Sequence, residues 1–190
     1  GMEALLNAAA AFGLLKKQAK TYHLTPETQT FLVKSSPYYF GPMIRMSGEL
    51  AKQFAMLPEA VRTGRPAQRL ENEATGAEFF VRLIEGLFPM NYPTGKYLAE
   101  NHLLGRVTDV LDVAAGSGAW SIPLAESDPA VRVTALDFKD VLPVTRRFFE
   151  KRGVGSQLTE MPGNLRDVDF GEDRYDLILL GHILHSEGDA

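Results

Sequence analysis

Apolar positions along this chain change their period partway through, and the change divides the sequence. Near the start, Leu5, Leu6, Ala9, Phe12 and Leu15 recur at helical spacing among alanines. They predict a helix over 2–17 with Lys16 and Lys17 in its last turn, where cations suit the helix dipole. Residues 19–24 alternate and predict a strand. Thr25-Pro26-Glu27 supplies a cap and a first turn for a short helix ending at Leu32. Ser35-Ser36-Pro37 breaks the pattern. Helical character returns over 38–60, carried by Met43, Ile44, Met46, Leu50 and Phe54. A loop at 62–68 precedes another helix over 77–87, with Phe79, Phe80, Leu83 and Ile84 as its stripe. Phe88-Pro89-Met90-Asn91-Tyr92-Pro93 interrupts that helix, which resumes over 94–104.

From residue 106 short apolar runs take over, at 107–113, 131–137, 158–162 and 177–180, with helices expected at 120–127 and 141–151. Strands alternating with helices predict an α/β fold with a parallel sheet, and right-handed crossovers order its strands 3-2-1-4. The first run leads into Val110-Leu111-Asp112-Val113-Ala114-Ala115-Gly116-Ser117-Gly118. Gly116 and Gly118 permit a sharp turn and close approach of a ligand to the backbone. The helix that follows aims its free N–H groups back at that turn, as nucleotide-type sites of open α/β sheets require. The second run ends at Asp137, 19 residues past Gly118, where a carboxylate accepts both hydroxyls of a ribose. The last run, Tyr175 to Gly181, opens into His182 and His185.

Composition narrows the partners. The chain has 190 residues and a net charge of −4, which argues against a phosphate-binding surface and hence against a nucleic-acid partner. With no cysteine there is no disulfide and no thiolate metal site; no metal-ligand set is predicted, and cytoplasm is the default location. The apolar run at 8–15 is too short to cross a bilayer, so no membrane partner is expected. Gly1 ahead of Met2 reads as a residue added before an initiator methionine.

Taken together, the Asp112-x-Ala114-x-Gly116-x-Gly118 turn, the acid ending the second strand and the polar cluster after the fourth resemble class I S-adenosylmethionine-dependent methyltransferases. Their turn commonly reads Asp/Glu-x-Gly-x-Gly-x-Gly, so Ala114 stands where a glycine is usual. The resemblance implies S-adenosyl-L-methionine as cofactor. It puts Asp112, Ala114, Gly116, Ser117 and Gly118 against the methionine part and Asp137 on the ribose diol. Phe138, Asn164 and Leu165 fall against adenine, with Gly181 also on the cofactor side.

His182-Ile183-Leu184-His185-Ser186-Glu187 narrows the resemblance to small-molecule O-methyltransferases with an amino-terminal winged-helix dimerisation domain. Phenol-methylating members read Leu-His-Asp-Trp there, and their histidine takes the acceptor proton; His185 matches it, while Ser186-Glu187 departs from the pattern. His182, Met90, Asn91 and Tyr92 are candidate substrate contacts. The expected organisation is a partial winged-helix-like dimerisation region at 1–36, a helical linker and substrate-lining region at 37–105, and a Rossmann-like domain at 106–190. That sheet normally has seven strands and the amino end starts inside the winged helix, so a fragment truncated at both ends is expected, or a chain whose sheet edge a partner covers. The expected partners are a small-molecule acceptor and a second copy of the chain, as a homodimer. The alternatives are methyl transfer to nitrogen or carbon, a winged-helix regulator with a metabolite-sensing α/β part, or an NAD-binding oxidoreductase. The last lacks the glycine that would stand where Ser121 is.

Overall fold

The computed structural model describes residues 1–65, 73–101 and 106–186. Its first helix, α1 (Met2–Ala11), is shorter than the expected 2–17 helix. Gly13 adopts φ +75°, and the N–H groups of Gly13 and Leu14 close onto the carbonyls of Ala10 and Ala9. A left-handed glycine closing a helix in this way stops it. Lys16 and Lys17 therefore lie not in a last helical turn but on a strand, β1 (Leu15–Gln18). It pairs antiparallel with β2 (Thr21–Leu24), Leu15 opposite Leu24. The expected short helix is α2 (Pro26–Phe31), whose Thr25 side chain accepts the Thr28 N–H at 3.2 Å.

Two further expectations on the helical region are corrected. The single helix over 38–60 is two, α3 (Gly41–Phe54) and α4 (Leu57–Thr63), the second opening on Leu57-Pro58 because proline suits a first turn. The interruption at 88–93 does not occur: α5 (Glu73–Glu100) runs straight through Pro89 and Pro93. Each proline forfeits one helical N–H, yet Phe88 and Tyr92, one turn apart, are buried together against the sheet domain. That packing outweighs the local preference. Residues 66–68 of the expected 62–68 loop, the end of the 94–104 helix and Glu187 lie outside the described residues, as do the side chains of Phe79 and Phe80.

The sheet comprises β3 (Asp109–Val113), β4 (Arg132–Asp137), β5 (Leu158–Pro162) and β6 (Leu177–Leu179), all parallel. Their order is β5-β4-β3-β6, which is the predicted 3-2-1-4. Two successive crossovers in one direction put α6 (Ile122–Ser127) and α7 (Leu142–Lys151) on the same face. That face buries Val110, Ile122, Val133, Ala135, Leu142 and Phe149. The return from β5 to β6 covers the opposite face, where Leu111, Val113 and Leu136 meet Leu165, Val168 and Phe170. Alternate side chains of one strand thus serve two cores, so β3 is apolar at Val110 on one face and at Leu111 and Val113 on the other. Two polar groups fasten loops to this frame. Gln157 donates to the carbonyls of Ala125, Asp128 and Val131, and the Asp176 carboxylate receives the N–H groups of Thr108 and Asp109. Among the described residues β6 is a sheet edge, and no helix is long and apolar enough to cross a membrane.

Candidate functional site

The strand order reverses between β3 and β6, and the chain's unusual backbone gathers there. Ala114, Gly116 and Gly118 follow β3 with φ values of +56°, +56° and +68°. At Gly118 space as well as torsion demands glycine, since a Cβ there would stand 2.5 Å from Phe149 Cε2. The turn is pinned from three directions. Ala115 N–H donates to the Leu136 carbonyl at 3.1 Å, and Thr145 Oγ1 donates to the Gly116 carbonyl at 2.6 Å. Gly116 N–H donates to Asp137 Oδ2 at 2.8 Å, while Phe138 N–H donates to Asp137 Oδ1 at 2.8 Å. Each carboxylate oxygen keeps accepting capacity for a ligand.

Asp112 lies one layer beneath, 1% exposed, on the α6 side of β3. Its Oδ2 accepts the Ser121 hydroxyl at 2.5 Å. Burial pushes the Asp112 carboxyl up to about 7; the Ser121 hydrogen bond opposes the rise and the charge of Asp137 adds to it. Burial also raises Asp137, against the two N–H groups that favour its charged form. Ser117 and Gly118 are buried inside the turn rather than on its surface.

A cleft of about 260 Å³ opens beside the turn. Ala114, Asp137, Phe138, Asn164 and Leu165, all candidates from sequence, line it together. Phe138 is 61% exposed, its ring a free apolar face at the rim. The side-chain oxygen of Asn164 already accepts Arg166 N–H at 3.0 Å, so part of its accepting capacity is committed. Gly163, Arg166 and Ile183 line the cleft without having been singled out from sequence. Ser121 and Thr145 were missed as well. The one available signal was that a buried acid such as Asp112 requires a donor, and a serine opens the next helix.

The segment after β6 forms the far side. Gly181 lies against the Trp120 indole, where an added Cβ would be 2.5 Å from Nε1. His182 has φ +61°, and its ring centroid is 5.8 Å from that of Trp120 at an interplanar angle of 49°. His185 is exposed in a single 3-10 turn, Leu184–Ser186. Ile183, between the two histidines, reaches the cleft; the histidines themselves do not line it.

Met90, Asn91 and Tyr92 do not line it either. Tyr92 points into the core of α5, α6 and α7, donating to Glu126 Oε2 at 2.5 Å and receiving Arg152, whose guanidinium also sits 4.5 Å from its ring centre. Burial and the Glu126 hydrogen bond raise its pKa, as suits a phenol that stays protonated. The substrate-contact expectation for Tyr92 is therefore corrected: the i, i+4 stack with Phe88 faces the protein. Met90 is on the exposed side of α5.

A glycine turn and a carboxylate at the reversal point of a parallel sheet stand where open α/β folds bind their ligands. Residues 110–190 match the family model of a methyltransferase domain. Together with the fold and the site, this match makes the sheet domain similar to those of class I S-adenosylmethionine-dependent methyltransferases. A candidate O-methyltransferase of Nostoc punctiforme is 29% identical, with a TM-score of 0.76 over 97% of this chain and 57% of its own. The S-adenosyl-L-methionine-dependent methyl transferase PigF of a Serratia species is 24% identical over 96% of this chain and 56% of its length. Human N-acetylserotonin methyltransferase, solved in complex with SAM, shares the fold at 21% identity and a TM-score of 0.79, over 97% of this chain and 56% of its own. The chain thus spans little more than half the length of each of these relatives.

Proposed function

We propose that this chain carries out S-adenosylmethionine-dependent methyl transfer to a hydroxyl of a small aromatic or polyketide-like molecule. The observation that carries the cofactor half is the Asp137 carboxylate, held by Gly116 and Phe138 N–H groups at the mouth of the 260 Å³ cleft. A diol acceptor, an exposed aromatic face in Phe138 and an apolar wall in Leu165 fit a nucleoside. The buried acid Asp112 beneath the turn fits the cationic end of the same molecule. When bound, S-adenosylmethionine supplies an electrophilic methyl group.

The chain's own residues then have separable tasks. Asp137 orients the ribose, Phe138 and Leu165 cover the base, and Asn164 offers an amide to its edge. His185 removes the acceptor proton, and His182 and Ile183 border the acceptor. Two copies of the chain associate through the amino-terminal region, whose first helix has no buried residue.

Calorimetric titration with S-adenosylhomocysteine tests the first half. Asp137→Ala removes a charged acceptor worth roughly 1.5–3 kcal/mol and should weaken binding by about 10- to 150-fold. Unchanged affinity in the folded variant rules the ribose assignment out. For the second half, His185→Ala should lower turnover by ~10²–10⁴ with cofactor affinity intact. Wild-type turnover in that variant would leave His185 with a structural role alone.

A further inference from the structure

The two sides of the site meet at one side chain that neither side's chemistry uses. Trp120, the chain's single tryptophan, follows the glycine turn directly, at Gly118-Ala119-Trp120. Its backbone is held from α5: a Cβ on Gly95 would stand 2.9 Å from the Ala119 carbonyl oxygen and 3.2 Å from Trp120 Cα. Its indole crosses from the β3 side of the reversal point to the β6 side. There it lies on Gly181, at a separation only glycine allows, and tilts against the His182 ring at 5.8 Å.

His182 needs such a contact. Its φ of +61° is a conformation that costs a non-glycine residue energy and persists only where surrounding structure imposes it. The neighbouring Gly181 cannot impose it, having no side chain; the indole spans both residues. Ile183 and His185 continue from this turn, so its placement sets theirs.

We propose that Trp120 is a positioning residue that links the glycine turn to the Gly181–His182 turn, so that the backbone holding the cofactor also sets the segment facing the acceptor. The inference deepens the methyltransferase reading and rests on it for the ligands' identities; the linkage itself is a property of the free protein. Trp120 transfers no proton and makes no bond. Its effect reaches the acceptor through His182 and the short turn beyond.

Proton NMR of the His182 imidazole tests this, with His182→Gln to assign the signal. In the free protein the indole's ring current should displace the His182 resonances from ordinary imidazole positions. Trp120→Leu should abolish that displacement, and Trp120→Phe should restore part of it. Gly181→Ala, which pushes the indole away while leaving both rings in the chain, should also reduce it. Asp137→Ala frees the Gly116 N–H and so disturbs the glycine turn; it should move the His182 signal, and fail to do so when combined with Trp120→Leu. His182 resonances unchanged by Trp120→Leu in a folded protein, or a response to Asp137→Ala that survives that substitution, would overturn the proposal. Titration with S-adenosylhomocysteine should shift Trp120 emission and the His182 signal with one midpoint. Emission that shifts while His182 stays still counts against the linkage. Failure of wild type to bind S-adenosylhomocysteine instead removes the methyltransferase reading, and the ligand-free comparisons still decide the role of Trp120.

Discussion

Asp112 is buried with one hydroxyl as its hydrogen-bond donor and a second carboxylate nearby, so its charged form is disfavoured in the folded chain. Its pKa rises from 3.8 unfolded to about 7 folded, so the folded state holds the extra proton across that interval. Stability should be greatest below the unfolded value, decline as pH rises by up to about 1.4 kcal/mol per unit, and level off above pH ~7. Asp137 is raised too and bends the curve in the same direction. Asp112→Asn keeps an oxygen for Ser121 and carries no charge, so the fall of urea midpoints between pH 5 and 7 should shrink in that variant to the part Asp137 contributes. A slope equal to wild type would assign the effect to other groups. Ala114 offers a second test. An L-residue at φ +56° costs roughly 1–2 kcal/mol, and glycine's extra unfolded-state entropy returns about 0.5–1. Ala114→Gly should therefore raise the urea midpoint slightly, and a lowered midpoint contradicts the strain. At this scale the sequence was legible where local spacing decides the backbone, as for the glycine turn at Gly116 and Gly118 and the strand that ends at Asp137. Ser121, Thr145 and Trp120 were not legible, because each earns its place from a neighbour brought in by folding.

Among the elements, α7 makes the tightest demand on the site. Phe149 is fully buried, touches the space that Gly118 leaves open, and holds α7 against the turn-bearing face of the sheet. Phe149→Ala should cost about 3–5 kcal/mol in stability, measured by denaturant unfolding, because the fixed glycine turn collapses poorly into the void. A loss under ~1 kcal/mol would show that the turn and helix relax together. The sheet order was readable in advance, since right-handed crossovers leave few ways to join four parallel strands. Helix limits were less so. Gly13 ended α1 early through a left-handed closure whose hydrogen bonds no periodicity reveals, and α5 passed through two prolines because Phe88 and Tyr92 gain a buried face. Local rules predicted a break there, and tertiary packing overrode them.

Across the whole molecule, two of the open surfaces among the described residues compete as the place where the proposed second copy docks. One is the outer edge of β6, where Ile178 is exposed beside unpaired backbone. The other is α1 and its exit, where Met2, Leu5 and Phe12 are exposed at 69%, 65% and 83%. An edge of three residues offers few backbone hydrogen bonds, and short edges are a common safeguard against pairing. The ten-residue α1 buries no side chain of its own, so its apolar residues gain most from a partner. Light scattering after gel filtration should therefore give twice the chain mass for wild type. Leu5→Asp with Phe12→Asp should give the single-chain mass, because each charge would otherwise be desolvated in the interface. Ile178→Lys should leave the dimer intact. Since Asp137 and its cleft belong to the sheet domain, S-adenosylhomocysteine affinity should be the same for the double variant and wild type. A dimer lost with Ile178→Lys and kept with the α1 charges would move the interface to the sheet edge.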